Sequence, residues 1–270
     1  MSNIHDNSSP LLKVSGLKQY FGKGKKLVKA VDDVSFEIKK GRIYGLVGES
    51  GSGKTTVGRS IIRIYDPTGG SISFKGEEIT GRLDKNKRDL ITSGIQMIFQ
   101  DPMASLNPSK KVFDIIAQGI DIHNLASSKA ERRDMVFEMM EEVGLSPDFA
   151  DRYPRQFSGG QRQRIAIART VIMKPDLIIA DEPISALDVS IQAQIINLLK
   201  QVQQKYKTTI LFIAHDLSMV RYLTDEVGVM NHGHIVEAGE TEEIFTNPKD
   251  PYTVYLLEAI PRMNPRLAGR

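Results

Sequence analysis

Gly48-Glu49-Ser50-Gly51-Ser52-Gly53-Lys54-Thr55 has the spacing G-x-x-x-x-G-K-[ST], and the chemistry of that pattern is phosphate binding. Its glycines let backbone N–H groups converge on phosphate oxygens, and a helix that follows adds the partial positive charge of its N-terminus. Lys54 supplies a cation for the β- and γ-phosphates, Thr55 offers a hydroxyl to Mg²⁺, and Thr56 continues the loop into the helix. An apolar run, Ile43–Val47, precedes the loop as a strand, and Thr55–Ile64 follows it as a helix. A chance match rarely has both flanks.

A pair of carboxylates forms the second candidate. Asp181-Glu182 ends the apolar run Leu177-Ile178-Ile179-Ala180, which places it where a buried strand leaves a sheet and ligands bind. Asp181 there can organise Mg²⁺, and Glu182 can polarise an attacking water as general base. An exposed acidic turn is the alternative, and four apolar residues upstream speak against it. Upstream again, Ser158-Gly159-Gly160-Gln161 opens a helix over Arg162–Met173. Ser158 can cap that helix, and the glycines leave its amides uncovered, which makes a second anion-binding helix end. One nucleotide would not use both phosphate sites within one chain. Head-to-tail pairing of two chains resolves this, each nucleotide meeting one loop from each.

Two further patterns are decoys. Asp66-Pro67-Thr68-Gly69 fits the D-x-x-G of GTPases, and Asn86-Lys87-Arg88-Asp89 fits their N-K-x-D. Asp66 follows Lys54 too closely for the intervening strands a GTPase needs, and Asn86 follows a charged stretch instead of an apolar strand. They read as a turn and a solvated surface segment. His232-Gly233-His234 reads as a Gly turn joining two strands, in preference to a metal pair.

Strand signals that must position these residues occur at Leu11–Leu17, Val28–Ile38, Ile43–Val47, Ser71–Phe74, Ile95–Phe99, Leu177–Asp181 and Thr209–Ala214. Val227–Met230 and His234–Glu237 follow as a hairpin. From about 101 to 171 the pattern is helical, with Ser128-x-x-Glu131 as a capping box leading into Val136, Met139, Met140 and Val143. Ile191, Ile195, Leu198, Leu199 and Val202 mark a helix face. Strands alternating with helices imply an α/β fold with a mainly parallel sheet covered on both sides. A β-rich N-terminal part reads as an antiparallel subdomain, and residues 101–171 as an inserted helical subdomain. The expected divisions are a mobile tail over 1–10, a phosphate-loop domain over 11–240 and a C-terminal extension over 241–270.

Composition narrows the alternatives. A 270-residue chain with no cysteine cannot form disulfides, thiolate zinc sites or cysteine-ligated clusters. Its net charge of +3 is too small to argue for nucleic acid. Met1–Pro10 has no apolar core of a signal peptide. No run approaches the ~18 apolar residues of a membrane helix, so any membrane function is expected to come from partner chains.

In order, the phosphate loop, Gln100, Ser158-Gly159-Gly160-Gln161, Asp181-Glu182, Ser185-Ala186-Leu187-Asp188 and His215 resemble the motifs of ABC-family ATPase subunits over roughly residues 11–240. The spacings agree too, 23 positions from Ser158 to Asp181 and 34 from Asp181 to His215. By this resemblance Gln100 senses the γ-phosphate region, joins the Mg²⁺ site of Thr55 and Asp181, and connects it to the helical subdomain. Ser158 and Gly160, with Gln161 beside them, contact ATP held by the opposite subunit. Asp188 stabilises the dimer interface, and His215 donates to the γ-phosphate. The adenine is expected on Phe21, four positions after Leu17, with Tyr20 in reserve.

Leu46–Lys54, Phe99–Pro108, Ser185–Gln194, Asn247–Thr253 and Leu256–Pro261 resemble more narrowly the oligopeptide/dipeptide/nickel importer branch. The resemblance implies an ATP- and Mg²⁺-dependent ATPase at the cytoplasmic face of the cell membrane. It implies two permease subunits, a sister ATPase or a second copy of the chain, and an extracytoplasmic solute-binding protein acting indirectly, with no nucleic acid. Many members of that branch continue into a cysteine-bearing tail, for which no role is expected in this sequence. A nickel or metal-chelate importer of the same branch is the alternative. A soluble ABC protein working on ribosomes or DNA would carry a second cassette or long coiled coil, and neither is visible. A regulatory module without turnover fits poorly with Glu182 in place.

Overall fold

The computed structural model describes residues 9–185 and 187–259. Residues 1–8 of the expected tail, Ala186 of the Ser185–Asp188 segment and residues 260–270 of the C-terminal extension lie outside the described residues. The early strands are β1 (Leu12–Phe21), β2 (Val28–Ile38), β3 (Ile43–Val47), β4 (Gly69–Phe74) and β5 (Glu77–Glu78). The later ones are β6 (Ile95–Ile98), β7 (Leu177–Asp181), β8 (Thr209–Ala214), β9 (Glu226–Asn231) and β10 (His234–Glu240). They form an antiparallel sheet ordered β2-β1-β4-β5 and a second sheet ordered β10-β9-β3-β8-β7-β6. In the second sheet only β10 runs antiparallel to its neighbour.

β3, β7 and β8 are buried along their whole length, as expected of parallel strands covered on both faces. Their side chains divide by parity. Leu177, Ile179, Leu211 and Ile213 pack with Val57 and Ile61 and with Val31 and Val34 of the antiparallel sheet. Ile178, Ala180, Ile210 and Phe212 pack with the opposite helical layer, through residues such as Ile115, Ile165, Ile195 and Val220.

The helices on the two faces are α1 (Lys54–Ile61), α2 (Lys85–Gly94), α3 (Pro102–Ser105), α4 (Val112–His123) and α5 (Lys129–Glu142), followed by α6 (Gly159–Val171), α7 (Val189–Tyr206), α8 (Leu217–Leu223), α9 (Thr241–Thr246) and α10 (Pro251–Glu258). The block α3–α6 lies between β6 and β7, where the helical insertion was expected. At its α5 terminus Ser128 accepts from the amide of Glu131, but the Glu131 carboxylate turns to Ser127 instead of closing the box on Ser128.

Two differences from the sequence reading have physical causes. β1 runs on to Phe21 because a bulge interrupts its alternation. Gly16 lies at φ +57 and the register shifts between Val14 and Leu17, so the buried positions 12, 14, 17 and 19 skip a beat. The Asn86–Asp89 segment is helical, within α2. Asp84 caps it, and only Ile91 and Gly94 are buried, which leaves too narrow an apolar stripe to read. Asp66–Gly69 leads directly into β4. His232 and Gly233 both take positive φ, 44 and 87, in the two-residue turn that pairs Asn231 with His234.

Candidate active site

Strand order builds the site. In register, Val47 sits opposite Ala214, Ile213 opposite Asp181 and Ala180 opposite Ile98. The residues that leave these ends share one rim, with Gly48 first, then His215, then Asp181-Glu182, and Gln100 two residues past β6. Neighbouring parallel strands lie only about 4.8 Å apart, so groups far apart in sequence become adjacent. A cavity of about 1220 Å³ opens over this rim and is lined by Gly48–Gly51, Gly53–Thr56, Gln100, Glu182 and His215, among others.

The loop is wedged between β2 and β9. A Cβ on Gly53, whose φ is +108, would fall 2.2 Å from the carbonyl oxygen of Ala30, and one on Gly48 would fall 2.0 Å from that of Met230. No side chain fits at either place. Lys54 is 3% exposed, and its Nζ donates to the carbonyls of Gly48 and Glu49, both at 2.8 Å. Burial lowers its pKa, opposed by the nearby carboxylates of Glu182 and Asp181.

Thr55 Oγ1 donates to Asp181 Oδ1 at 2.8 Å. Asp181 is fully buried, its Oδ2 has no hydrogen-bond partner, and desolvation raises its pKa. A buried carboxylate oxygen without a partner, beside a threonine hydroxyl, is a donor set suited to a hard divalent cation. The residues present therefore fit Mg²⁺.

Glu182 takes a left-handed conformation, φ 45, while its N–H donates to the Ile213 carbonyl at 2.9 Å. This turn aims its carboxylate along the rim. Oε2 accepts from Gln100 Nε2 at 3.0 Å and meets His215 Nδ1 at 3.2 Å. Two residues from different strand ends, Gln100 and His215, thus converge on one oxygen of a third, Glu182.

The ABC transporter family matches residues 31–185, and the oligopeptide/dipeptide transporter C-terminal region matches residues 236–270. The chain is 56% identical over 255 residues to the oligopeptide transport ATP-binding protein OppF of Bacillus subtilis, covering 94% of this chain and 84% of that one. The chain belongs to the ABC transporter ATP-binding family. It is also 51% identical to the dipeptide transport ATP-binding protein DppF of Lactococcus lactis, over 94% of this chain and 82% of that one. Its fold is that of the ATP-binding cassette MJ0796, solved as a dimer in a post-hydrolysis state with ADP and Pi. That match has TM-score 0.77 and 28% identity, over 85% of this chain and 98% of that one.

Of the remaining ABC motif residues, Ser185 lines the cavity, whereas Ser158, Gly160, Gln161 and Asp188 do not. Ser158 caps α6 through a closed box, its Oγ accepting from the Gln161 amide at 3.3 Å and its N–H donating to Gln161 Oε1 at 3.0 Å. α6 starts at Gly159, three residues earlier than the sequence pattern gives. A Cβ on Gly160 would fall 2.6 Å from Ile191 Cγ2, so this glycine also permits close packing of α6 on α7. Asp188 caps α7, accepting from Ile191 N at 3.0 Å. Phe21 packs edge-on against Tyr65, with ring centroids 5.1 Å apart. Tyr20 bonds to Asp32. Neither aromatic lines the cavity, although Phe21 pairs across the sheet with Val28, an exposed apolar residue two positions before the lining residue Ala30.

The sequence reading did not place the C-terminal segment at this site. Leu256 and Ala259 line the cavity, and the Tyr252 hydroxyl accepts from the Glu49 amide at 3.1 Å. No spacing rule links residue 252 to residue 49. The only signal was that both lie in segments resembling the same importer branch.

Proposed function

We propose that this chain is the ATP-hydrolysing subunit of an importer for oligopeptides or dipeptides, working at the cytoplasmic face of the membrane on two permease subunits. Its partner is a second cassette, a sister chain or another copy. The convergence of Gln100 and His215 on the Glu182 carboxylate, beside Asp181 and the phosphate loop, carries the ATPase reading. The relatives named for oligopeptide and dipeptide transport, together with the matching C-terminal region, support the peptide substrate. No helix among the described residues is long and apolar enough to cross a membrane, which fits a subunit that acts on membrane-spanning partners.

In this reading the backbone amides of Gly51–Thr56 and the ammonium of Lys54 grip the triphosphate of the substrate ATP. Thr55 and Asp181, with Gln100 nearby, would hold Mg²⁺, which neutralises phosphate charge when bound. Glu182 accepts the proton of the attacking water, and Gln100 and His215 keep its carboxylate oriented while it does so. Phe21 provides the adenine platform, with Tyr20 the alternative.

Ser158, Gly160, Gln161 and Asp188 point the reading toward a dimer. They do not line the cavity over their own chain's phosphate loop and sit at helix N-termini, where a second chain's nucleotide can meet them. The likeness to a cassette solved as a dimer supports this arrangement.

The test is Glu182→Gln. It should retain ATP binding, lose turnover by about 10²–10⁴-fold, and form a nucleotide-dependent dimer with itself or with its sister chain on size-exclusion chromatography. Unchanged turnover would remove Glu182 as the base. Failure to dimerise with either chain in Mg·ATP would remove the shared site.

A further inference from the structure

The phosphate loop touches a segment that the cassette chemistry does not use. Lys249 and Asp250 donate their backbone N–H groups to the Glu237 carboxylate of β10, at 2.8 and 3.1 Å. Asp250 then caps α10 by accepting from the Tyr252 amide at 2.8 Å, and Thr253 is 1% exposed. The first turn of α10 is therefore fixed to the edge of the central sheet. From that base the Tyr252 hydroxyl accepts from the Glu49 amide at 3.1 Å.

The amide of Glu49 belongs to the same peptide plane as the carbonyl of Gly48, and that carbonyl accepts from Lys54 Nζ at 2.8 Å. A peptide unit is rigid. Tyr252 on its N–H side and Lys54 on its C=O side thus set its orientation together, and Lys54 also holds the next carbonyl, that of Glu49. A hydroxyl on the C-terminal helix sits two bonds of this kind from the cation expected to meet the phosphates.

We propose that Tyr252 is a positioning residue for ATP. Its hydroxyl fixes the Gly48–Glu49 peptide and, through it, the resting place of the Lys54 ammonium, so the C-terminal extension forms part of the nucleotide site. The inference rests on the ATPase reading above and adds to it that residues 249–258 affect the strength of ATP binding. The Tyr252 ring has a separate role, stacking near Tyr255 at 6.5 Å between centroids and packing against the core.

Tyr252→Phe in the full chain separates hydroxyl from ring. ATP affinity by calorimetry and the KM for ATP should weaken about three- to tenfold, the effect of one hydrogen bond, while kcat and Tm stay close to those of the unaltered chain. An unchanged KM in Tyr252→Phe overturns the proposal. So does a KM effect seen in Tyr252→Ala and absent in Tyr252→Phe, since that assigns the effect to ring packing. Lys54→Ala is the parallel control. If it abolishes ATP binding while Tyr252→Phe binds normally, Tyr252 is excluded and the ATPase reading stands. If the unaltered chain does not bind ATP, both fall.

Discussion

Asp181 has one oxygen on Thr55 and the other without a protein partner, in a place that excludes water. Desolvation holds its pKa above the ordinary aspartate value. Below that ordinary value the carboxyl is neutral in the folded and unfolded chain alike and does not affect stability. As pH rises from the ordinary value up through the raised native one, the unfolded chain is ionised while the native carboxyl still holds its proton, and the nucleotide-free fold loses stability. Asp181→Asn should therefore raise the Tm of the nucleotide-free protein more at pH 8 than at pH 4. It should also weaken Mg²⁺-dependent ATP turnover by at least about tenfold. Equal melting gains at both pH values would contradict the burial cost. The places of Lys54, Asp181 and Glu182 on this rim could be read in the sequence because fixed spacings and the apolar runs that end beside them mark them, whereas His215 was singled out only by the family resemblance. The bonds from Gln100 and His215 to a single oxygen of Glu182 were not, since side-chain direction depends on the left-handed turn at position 182.

At the level of elements, the glycines and hydroxyl residues around Lys54 matter less individually than the wedge that holds them. Gly53 combines a left-handed φ with a Cβ position inside the Ala30 carbonyl. Gly53→Ala should cost about 1–3 kcal/mol from backbone strain alone, seen as a lower Tm, and more where the loop is pushed off β2. A variant that melts with the unaltered chain would show that the loop has room. β2, β3, β7 and β8 were readable end to end because continuous or alternating apolar runs define them. Harder to read were the elements whose stability is mostly tertiary. β1 hides its second half behind a bulge, α2 buries only two residues, α9 is a short helix against β10 without a side-chain cap, and α10 is a short helix held by the Asp250 cap and by β10.

For the whole molecule, Ser158 caps α6 and is not among the residues lining the cavity over the phosphate loop. Ser158→Arg, exposed at its helix tip, should leave ATP binding by the isolated chain within about twofold, because the loop's own amides and lysine are untouched. Introduced into Glu182→Gln, it should abolish the nucleotide-dependent dimer. A dimer that survives would show that the α6 tip faces no nucleotide. The overall architecture was legible from the alternation of strands and helices, whereas the docking of α10 beside the phosphate loop depends on contacts spanning some two hundred residues, which no periodicity records. The sheet order has a bearing on biosynthesis as well. β8 lies between β3 and β7, yet it is translated after both. Until residue 214 has emerged from the ribosome, the two strands that flank it have no middle neighbour, and the lysine loop and the acidic pair cannot stand at their working separation. A domain folds as a unit, and β9, against which Gly48 is wedged, follows β8 in the chain, so the phosphate grip has to wait for nearly the whole central sheet to be made.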